Sequence, residues 1–474
     1  MASESKLSEL DLLAVAAARN ARIPRRHFWL PLLRLILQHA FTTPVVLTTA
    51  PFIILKNIFP FLRRHPLWSF KVGVFTELVR IAIICMGLIR FSPIPNKENG
   101  WRETSRLAPL LQAISFSSAG VSIMADNKTQ QRLKIKAKRL DRVWFNPPPP
   151  EMLRGILSVN VPNKVDQVVS SPRYVGRPLI QPYWAKARCR AFWYMRSPGI
   201  MPPNPGDNEK RKRPVLLYIH GGAGVSFAAG DMFMGDTLAK NLARTANVDI
   251  LSVDYDLAPY ARYPTTVLQT LGAWLYLTRD LGYDSSQVYV GGDSYGGFTT
   301  VLFNRWMRDV WSHLPAELTK GQSGKQPGLL LLSPWVTIEN EDFASRAVNL
   351  KYDIITAAYS NWGTDCLGIG PQYIKSLPIS TKDAWLSPVH MEPDEFAELP
   401  PLFVHAGGAE TLLDEGRMFL DKARQAGVDA EWLVSPGMHH DMGTNPALIP
   451  ESKVVWRRVK LWLADLEDKK SAKA

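Results

Sequence analysis

The sequence predicts an α/β fold: a mostly parallel central sheet with helices on both faces and a helical cap drawn partly from the N-terminus. Three observations predict it. From Pro214 onward, short apolar runs alternate with stretches of helix length, the pattern of strands joined by crossover helices. The runs, at 215–219, 248–253, 288–290, 329–332, 402–404 and 432–434, are close to continuously apolar, as strands buried on both faces should be. A glycine-rich turn stands between one of these runs and a helix-like stretch at 298–310.

A chain of 474 residues with 46% hydrophobic and 21% charged residues has ordinary globular usage and room for one large domain with additions. The formal net charge is +13. Lys and Arg crowd at 19–26, 132–142 and 210–213. The first cluster flanks an apolar segment. Zinc-finger spacing and an RNA-binding aromatic signature are both missing, so the charge points to a membrane surface and not to nucleic acid. Cys85, Cys189 and Cys366 are odd in number and far apart. They form neither a disulfide framework nor a metal set and read as buried thiols. No metal or organic cofactor is expected.

Residues 1–27 form a polar tail ending in Arg22, Arg25 and Arg26. Residues 28–95 are apolar, and no Asp, Glu, Lys or Arg lies between Arg34 and Lys56. That run is long enough to cross a bilayer, which takes about 20 residues. It also holds Gln38, His39, Pro44 and Pro51. Two readings stay open: a membrane anchor over 35–55, or buried or interfacial helices, broken at the prolines, that cover the main domain. An anchor would leave the arginine cluster in the cytoplasm and the main domain in a lumen, with Asn127-Lys128-Thr129 a usable glycosylation acceptor. The alternative expectation is a soluble cytoplasmic protein. A second apolar stretch at 78–89 is too short to span. Residues 96–150 read as cap or linker, ended by Asn146 and four prolines. The main domain is expected over 151–465, followed by a polar tail at 466–474.

The sharpest chemical signal is Gly292-Asp293-Ser294-Tyr295-Gly296. A G-x-S-x-G turn between strand and helix lifts a serine hydroxyl clear of the backbone, and the tight turn requires small residues two before and two after it. His220-Gly221-Gly222-Ala223 follows the run 215–219. Its glycines expose N–H groups for a developing oxyanion, to which Tyr295 adds its own amide. A base is supplied by Met438-His439-His440-Asp441 after the last apolar run. Of the two histidines His440 is preferred, with His439 structural. The acid lies between serine and histidine in chain order: Glu410, just after the run 402–404, or Asp414 one helical turn later. Glu410 is favoured because the loop after this strand is where the acid belongs.

Together these motifs resemble the hormone-sensitive-lipase family of α/β-hydrolases over roughly residues 150–465. His220-Gly-Gly-Ala223 is similar to its H-G-G-G motif, Gly292-Asp-Ser-Tyr-Gly-Gly297 to G-D-S-A-G-G, and Asp254-Tyr-Asp-Leu-Ala-Pro259 to D-Y-R-L-A-P-E. The resemblance implies the α/β-hydrolase fold, a triad of Ser294, Glu410 and His440, and an oxyanion hole of Gly221, Gly222 and the Tyr295 amide. The apolar N-terminus resembles that of fungal and animal members anchored to the endoplasmic reticulum, including steryl-acetate and arylacetamide deacetylases. Four departures stand out. Ala223 replaces a glycine and should stiffen the oxyanion loop. Tyr295 replaces a small residue and should alter the acyl pocket. Asp256 and Tyr260 replace Arg and Glu, so an ion pair there should be lost. Glu410 stands where Asp is usual.

The expected reaction is hydrolysis of a small-molecule carboxylic ester through an acyl-enzyme. The resemblance also implies a cap insertion at about 341–380. Its aromatics Phe343, Tyr352, Tyr359, Trp362 and Tyr373 have two readings: core packing, the commoner fate of such rings, or the lining of an apolar site, which would suit an apolar ester such as a lipid or an acetylated sterol. The same residues would serve an amidase, a lactonase or an acyltransferase, and the scaffold alone would serve a catalytically silent ligand-binding protein.

Overall fold

A computed structural model describes residues 29–88, 142–158, 189–205, 213–258, 261, 263–339, 343–370, 380–444 and 448–472. The tail at 1–27, the sequon at Asn127, most of the basic strip at 132–142, and Tyr260 and Tyr373 lie outside the described residues. Eight strands, β1 (Arg142–Phe145), β2 (Cys189–Tyr194), β3 (Val215–Ile219), β4 (Asp249–Val253), β5 (Val288–Asp293), β6 (Leu329–Leu332), β7 (Leu402–Gly407) and β8 (Ala430–Ser435), form one sheet. Their order is β1-β2-β4-β3-β5-β6-β7-β8. The pairings among β3 to β8 are parallel, and β1 and β2 join antiparallel at one edge. The parallel strands are the six apolar runs of the sequence. The two antiparallel strands, RVWF and CRAFWY, mix arginine with aromatics and carry no such signal. β1 falls within 96–150, so that segment is part of the sheet at its C-terminal end and not wholly cap or linker.

The helices used below are α1 (Trp29–Ile58), α2 (Phe70–Leu88), α3 (Lys240–Ala246), α4 (Thr265–Leu275), α5 (Tyr295–Val310), α6 (Ala357–Leu367), α7 (Leu413–Gln425) and α8 (Ser452–Ser471). Successive strand side chains alternate faces, and each face has its own core. Leu217, Val290, Leu331 and Val404 pack with α4, α5 and α7. Leu216, Tyr289, Leu330 and Phe403 pack with α3 and α8. Along α8 the buried apolar positions are Val455, Trp456, Val459, Trp462, Leu463 and Leu466, a stripe at helical spacing. The residues from 466 onward, expected as a polar tail, continue α8 to Ser471.

The helix α1 runs through Pro44 and Pro51 without the expected break. Each proline removes one helical donor. The Thr48 and Thr49 hydroxyls donate to the carbonyls of Pro44 and Val45 at 2.8 and 2.7 Å. Lys56 and Asn57 of α1 reach Glu77 of α2 at 3.0 and 3.1 Å, joining the two helices. The pair is not a detached element. Trp68 and Val72 belong to the core with Tyr218 and Met438, and Trp68 Nε1 donates to Gly437 O at 2.6 Å. The stretch Ala40–Ile58 is long and apolar enough to cross a membrane, and little of it is buried.

Candidate active site

The residues singled out in the sequence follow the carboxyl ends of parallel strands, where open α/β sheets place ligand sites. At the end of β5, Ser294 adopts φ 52° and ψ −119°, and α5 begins at the next residue. A non-glycine backbone held there costs about 1–3 kcal/mol. Ser294 N donates to Leu332 O at 2.9 Å, and its carbonyl accepts from Trp335 N at 3.1 Å, which hold the turn. The flanking glycines are required by contact. A Cβ at Gly296 would lie 1.9 Å from Ile219 O, and one at Gly292 2.5 Å from the Gly296 carbonyl carbon. The predicted strand, turn and helix are therefore all present.

Asp293, before the serine, accepts from Tyr218 Oη at 2.6 Å and from the Gly221 amide at 2.9 Å. Burial, then the charge of Asp441, pushes its carboxyl well above the usual range. The Gly221 bond corrects one expectation. That amide is spent on Asp293 and is not a free oxyanion donor. The amides of Gly222, Ala223 and Tyr295 donate to no acceptor among the described residues. Ala223 has φ 53° and sits between Gly222 at 107° and Gly224 at 71°. Its methyl thus occupies left-handed backbone, at a cost of about 1–2 kcal/mol. His220 is structural: its ring stacks on Tyr255 at 4.2 Å, and burial lowers its pKa to about 4, so it stays neutral.

His440 follows β8, and Glu410 follows β7. Both are buried. Glu410 Oε2 lies 3.7 Å from His440 Nδ1, beyond hydrogen-bond reach, while accepting from Ser333 Oγ at 2.6 Å. Triad contacts commonly tighten only when substrate binds. Asp414 is elsewhere: its carboxylate accepts from Ser345 N at 2.7 Å. His439 Nδ1 contacts His440 O at 2.6 Å, and burial lowers its pKa, in keeping with a structural role.

The other imidazole nitrogen was not foreseen. His440 Nε2 lies 3.0 Å from Asp441 Oδ2. Asp441 has φ 49°, the left-handed geometry that favours Gly, Asn or Asp. Burial alone would lower the His440 pKa. The Asp441 carboxylate, then Glu410, outweighs it and raises the pKa well above the ordinary value. Asp441 stood in the quoted His439-His440-Asp441 run, where its adjacency was the signal. Ser333, which bridges Glu410 Oε2 and the Asp441 amide at 2.6 and 3.3 Å, had none.

On α6, a Cβ at Gly363 would lie 2.8 Å from Ala223 O, and Tyr359 Oη bonds Ser226 Oγ, so this helix lies on the oxyanion loop. The helix α2 packs against α6. Phe343, Tyr359 and Trp362 are buried, and Tyr352 meets His65 edge-on at 5.0 Å. The Tyr295 ring is buried near Tyr255, Phe298 and Trp335, with Oη 3.1 Å from Thr266 Oγ1. The loss of an ion pair at Asp256 is also corrected: Arg190 of β2 reaches Asp254 at 2.5 Å and Asp256 at 3.4 Å. A residue on an unanticipated strand supplies the cation.

A family model described as alpha/beta hydrolase fold matches residues 216–444. Esterase LipU of Mycobacterium tuberculosis is 26% identical over 259 residues, 54% of this chain and 78% of the relative. An esterase of Acinetobacter venetianus is 27% identical over 241 residues, 50% and 71% of the two chains. Ethyl acetate hydrolase of Pseudomonas putida is 28% identical over 256 residues, 52% and 72%. Among solved structures, an esterase from the bacterial hormone-sensitive lipase family is 29% identical, with 59% of this chain and 81% of that one covered at a TM-score of 0.46. Residues 216–444 have the α/β-hydrolase fold and are similar in sequence to bacterial esterases.

Proposed function

We propose that this chain is a serine hydrolase of carboxylic esters, with Ser294 as nucleophile, His440 as base and Glu410 as the acid that orients it. One observation carries the reading: a strained serine between β5 and α5, beside the oxyanion loop, with a buried histidine–glutamate pair delivered from β7 and β8. The named esterases among its relatives support the same activity.

His440 Nε2 takes the Ser294 proton as Oγ bonds to the ester carbonyl carbon. The oxyanion is met by the amides of Gly222, Ala223 and Tyr295. The C–O bond then breaks, the alcohol leaves with the proton from Nε2, and water, deprotonated by His440, releases the acid. No step calls for a further group. A fluorophosphonate reporter tests the assignment: covalent mass on the peptide holding Ser294 is expected, and a chain that binds ester but takes up no label would instead be a silent receptor.

His440 Nε2 must leave Asp441 before it serves Ser294, so the Asp441 contact describes a resting arrangement. Replacing Asp441 by Asn removes an anion that raises the His440 pKa. The base works neutral, so the acid limb of kcat/KM against pH should move to lower pH. The effect on stability has a definite sign. A pKa raised by folding adds stability that is present below the unfolded value, about 6.5, and is lost as pH rises through the folded value. Asp441→Asn should therefore cost most stability on the acid side. An unmoved acid limb would remove Asp441 from the account.

The substrate is an apolar ester, reached at a membrane surface. Leu47, Phe52 and Phe61 are 65%, 75% and 81% exposed, with Leu55, Leu62 and Leu67 also exposed along α1 and its connection to α2. Exposed apolar area of this kind marks interaction sites, and the same element bears on the histidine loop through Trp68. The full chain should float with neutral phosphatidylcholine vesicles in a density gradient; recovery in the dense aqueous fractions would oppose this.

A further inference from the structure

Asp353 lies in the cap insertion, fully buried, and its carboxylate accepts four hydrogen bonds. Oδ1 takes the His440 amide at 2.9 Å and the Ile354 amide at 2.7 Å. Oδ2 takes the Thr411 amide and the Thr411 hydroxyl, each at 2.7 Å. Thr411 follows Glu410. One carboxylate therefore grips the backbone of the histidine loop with one oxygen and that of the acid loop with the other. The grip is reinforced at Asn349, whose side chain donates to Glu410 O at 2.9 Å and whose carbonyl accepts from Asp353 N at 2.9 Å. From the far side, Arg80 of α2 donates to the Asp353 carbonyl, and Arg64 donates to Lys351 O at 3.1 Å.

A buried carboxylate is costly unless its acceptors are filled. Charge-assisted bonds from backbone amides are about twice as strong as neutral ones. Spending them here fixes two loops from different strands against each other, and those loops set the 3.7 Å separation of Glu410 and His440. The sheet alone does less. The direct backbone bonds between the two loops, Gly408 N to Ser435 O and Ala409 N to Met438 O, both 2.8 Å, fix the bases of the loops. Ser333 Oγ adds a bridge from the Glu410 side chain to the Asp441 amide, and Asp353 is the group that holds the backbones of His440 and Thr411 together.

We propose that Asp353 is a positioning residue for the reaction, setting the reach between Glu410 and His440 from the cap, with Arg80 holding it from the N-terminal helices. It touches neither substrate nor the reacting atoms. This inference rests on Ser294, His440 and Glu410 acting as the triad.

The test uses the full chain. Wild type is first shown to hydrolyse p-nitrophenyl butyrate and to be labelled at Ser294, which tests the triad reading by itself. Asp353→Asn keeps the volume but turns an N–H donor toward one of the loop amides. Its kcat, per labelled Ser294, should fall about 10- to 100-fold, the scale of an ångström-size misplacement. KM should stay within about twofold, and the acid limb of the pH profile should move, because Glu410 is, with Asp441, one of the two anions that raise the His440 pKa. A kcat per labelled site equal to that of wild type, with an unmoved acid limb, would mean that Asp353 only supports folding and would overturn the proposal. Should Asp353→Asn fail to fold, Thr411→Val decides. It deletes one donor and keeps the amide, and a fall in kcat of a few fold at unchanged KM supports the proposal, whereas wild-type kcat refutes it. Arg80→Met should shift kcat in the same direction by a smaller factor, and a rise would count against the hold from α2.

Discussion

Ser294→Ala should lower kcat for ester hydrolysis by about a millionfold, down to the small rate that the oxyanion donors and binding supply on their own. The size follows from what the hydroxyl does. Without Oγ there is no acyl-enzyme, and His440 has no proton to accept. The folded state should survive, since Ser294 makes its packing contacts through its backbone, to Leu332 and Trp335. The strain at φ 52° is carried by the flanking glycines and the sheet, so alanine would meet the same geometry. A circular dichroism melt within a few degrees of wild type, with fluorophosphonate labelling lost, is the expected pair of results. Turnover above a hundredth of the wild-type rate would remove Ser294 from the mechanism, whatever the fold around it.

What was legible from the residues is what repeats or what sits in a short contiguous motif. The parallel strands announced themselves because strands buried on both faces must be apolar throughout, as in Leu329–Leu332. The elbow was legible because its sterics demand glycine at 292 and 296. The two histidines and Glu410 were placed by chain order after recognisable strands. The rest depended on contacts between remote residues of ordinary type. Arg190 gives no sign in the sequence that it will meet Asp254 and Asp256, and Asp353 lies 87 residues from the amide it holds. The Gly221 amide was assigned to the oxyanion because glycines there expose N–H groups. That the Asp293 carboxylate would take one of them depended on how closely β3 and β5 bring the two residues together. The prolines of α1 predicted breaks by a local rule that the helix does not follow. Membrane contact was read from an uncharged run, and the exposed Phe52 and Phe61 support it from a different direction.

The choice between Glu410 and Asp414 gives the second large effect. Glu410→Gln should reduce kcat by about ten-thousandfold, the scale seen when a triad acid loses its charge and the imidazole settles in the wrong tautomer. This chain adds a reason for the loss to reach that size. Asp441 stands 3.0 Å from Nε2 and favours a proton on that nitrogen. Glu410 is the anion on the other side, and with a neutral amide there the imidazole would keep its proton on Nε2, the atom that must accept from Ser294. Glu410→Asp keeps the charge but draws it back by one methylene from a contact already 3.7 Å long, so a loss of about a hundredfold is expected. Asp414→Asn should act on stability alone: its carboxylate accepts from Ser345 N, and weakening one such bond costs about 1 kcal/mol. Measured side by side at saturating ester, Glu410→Gln should fall far below Glu410→Asp, and Asp414→Asn should stay close to wild type. A large kcat loss in Asp414→Asn with little in Glu410→Gln would reassign the acid and require the loop after β7 to shift by a helical turn before the chemistry.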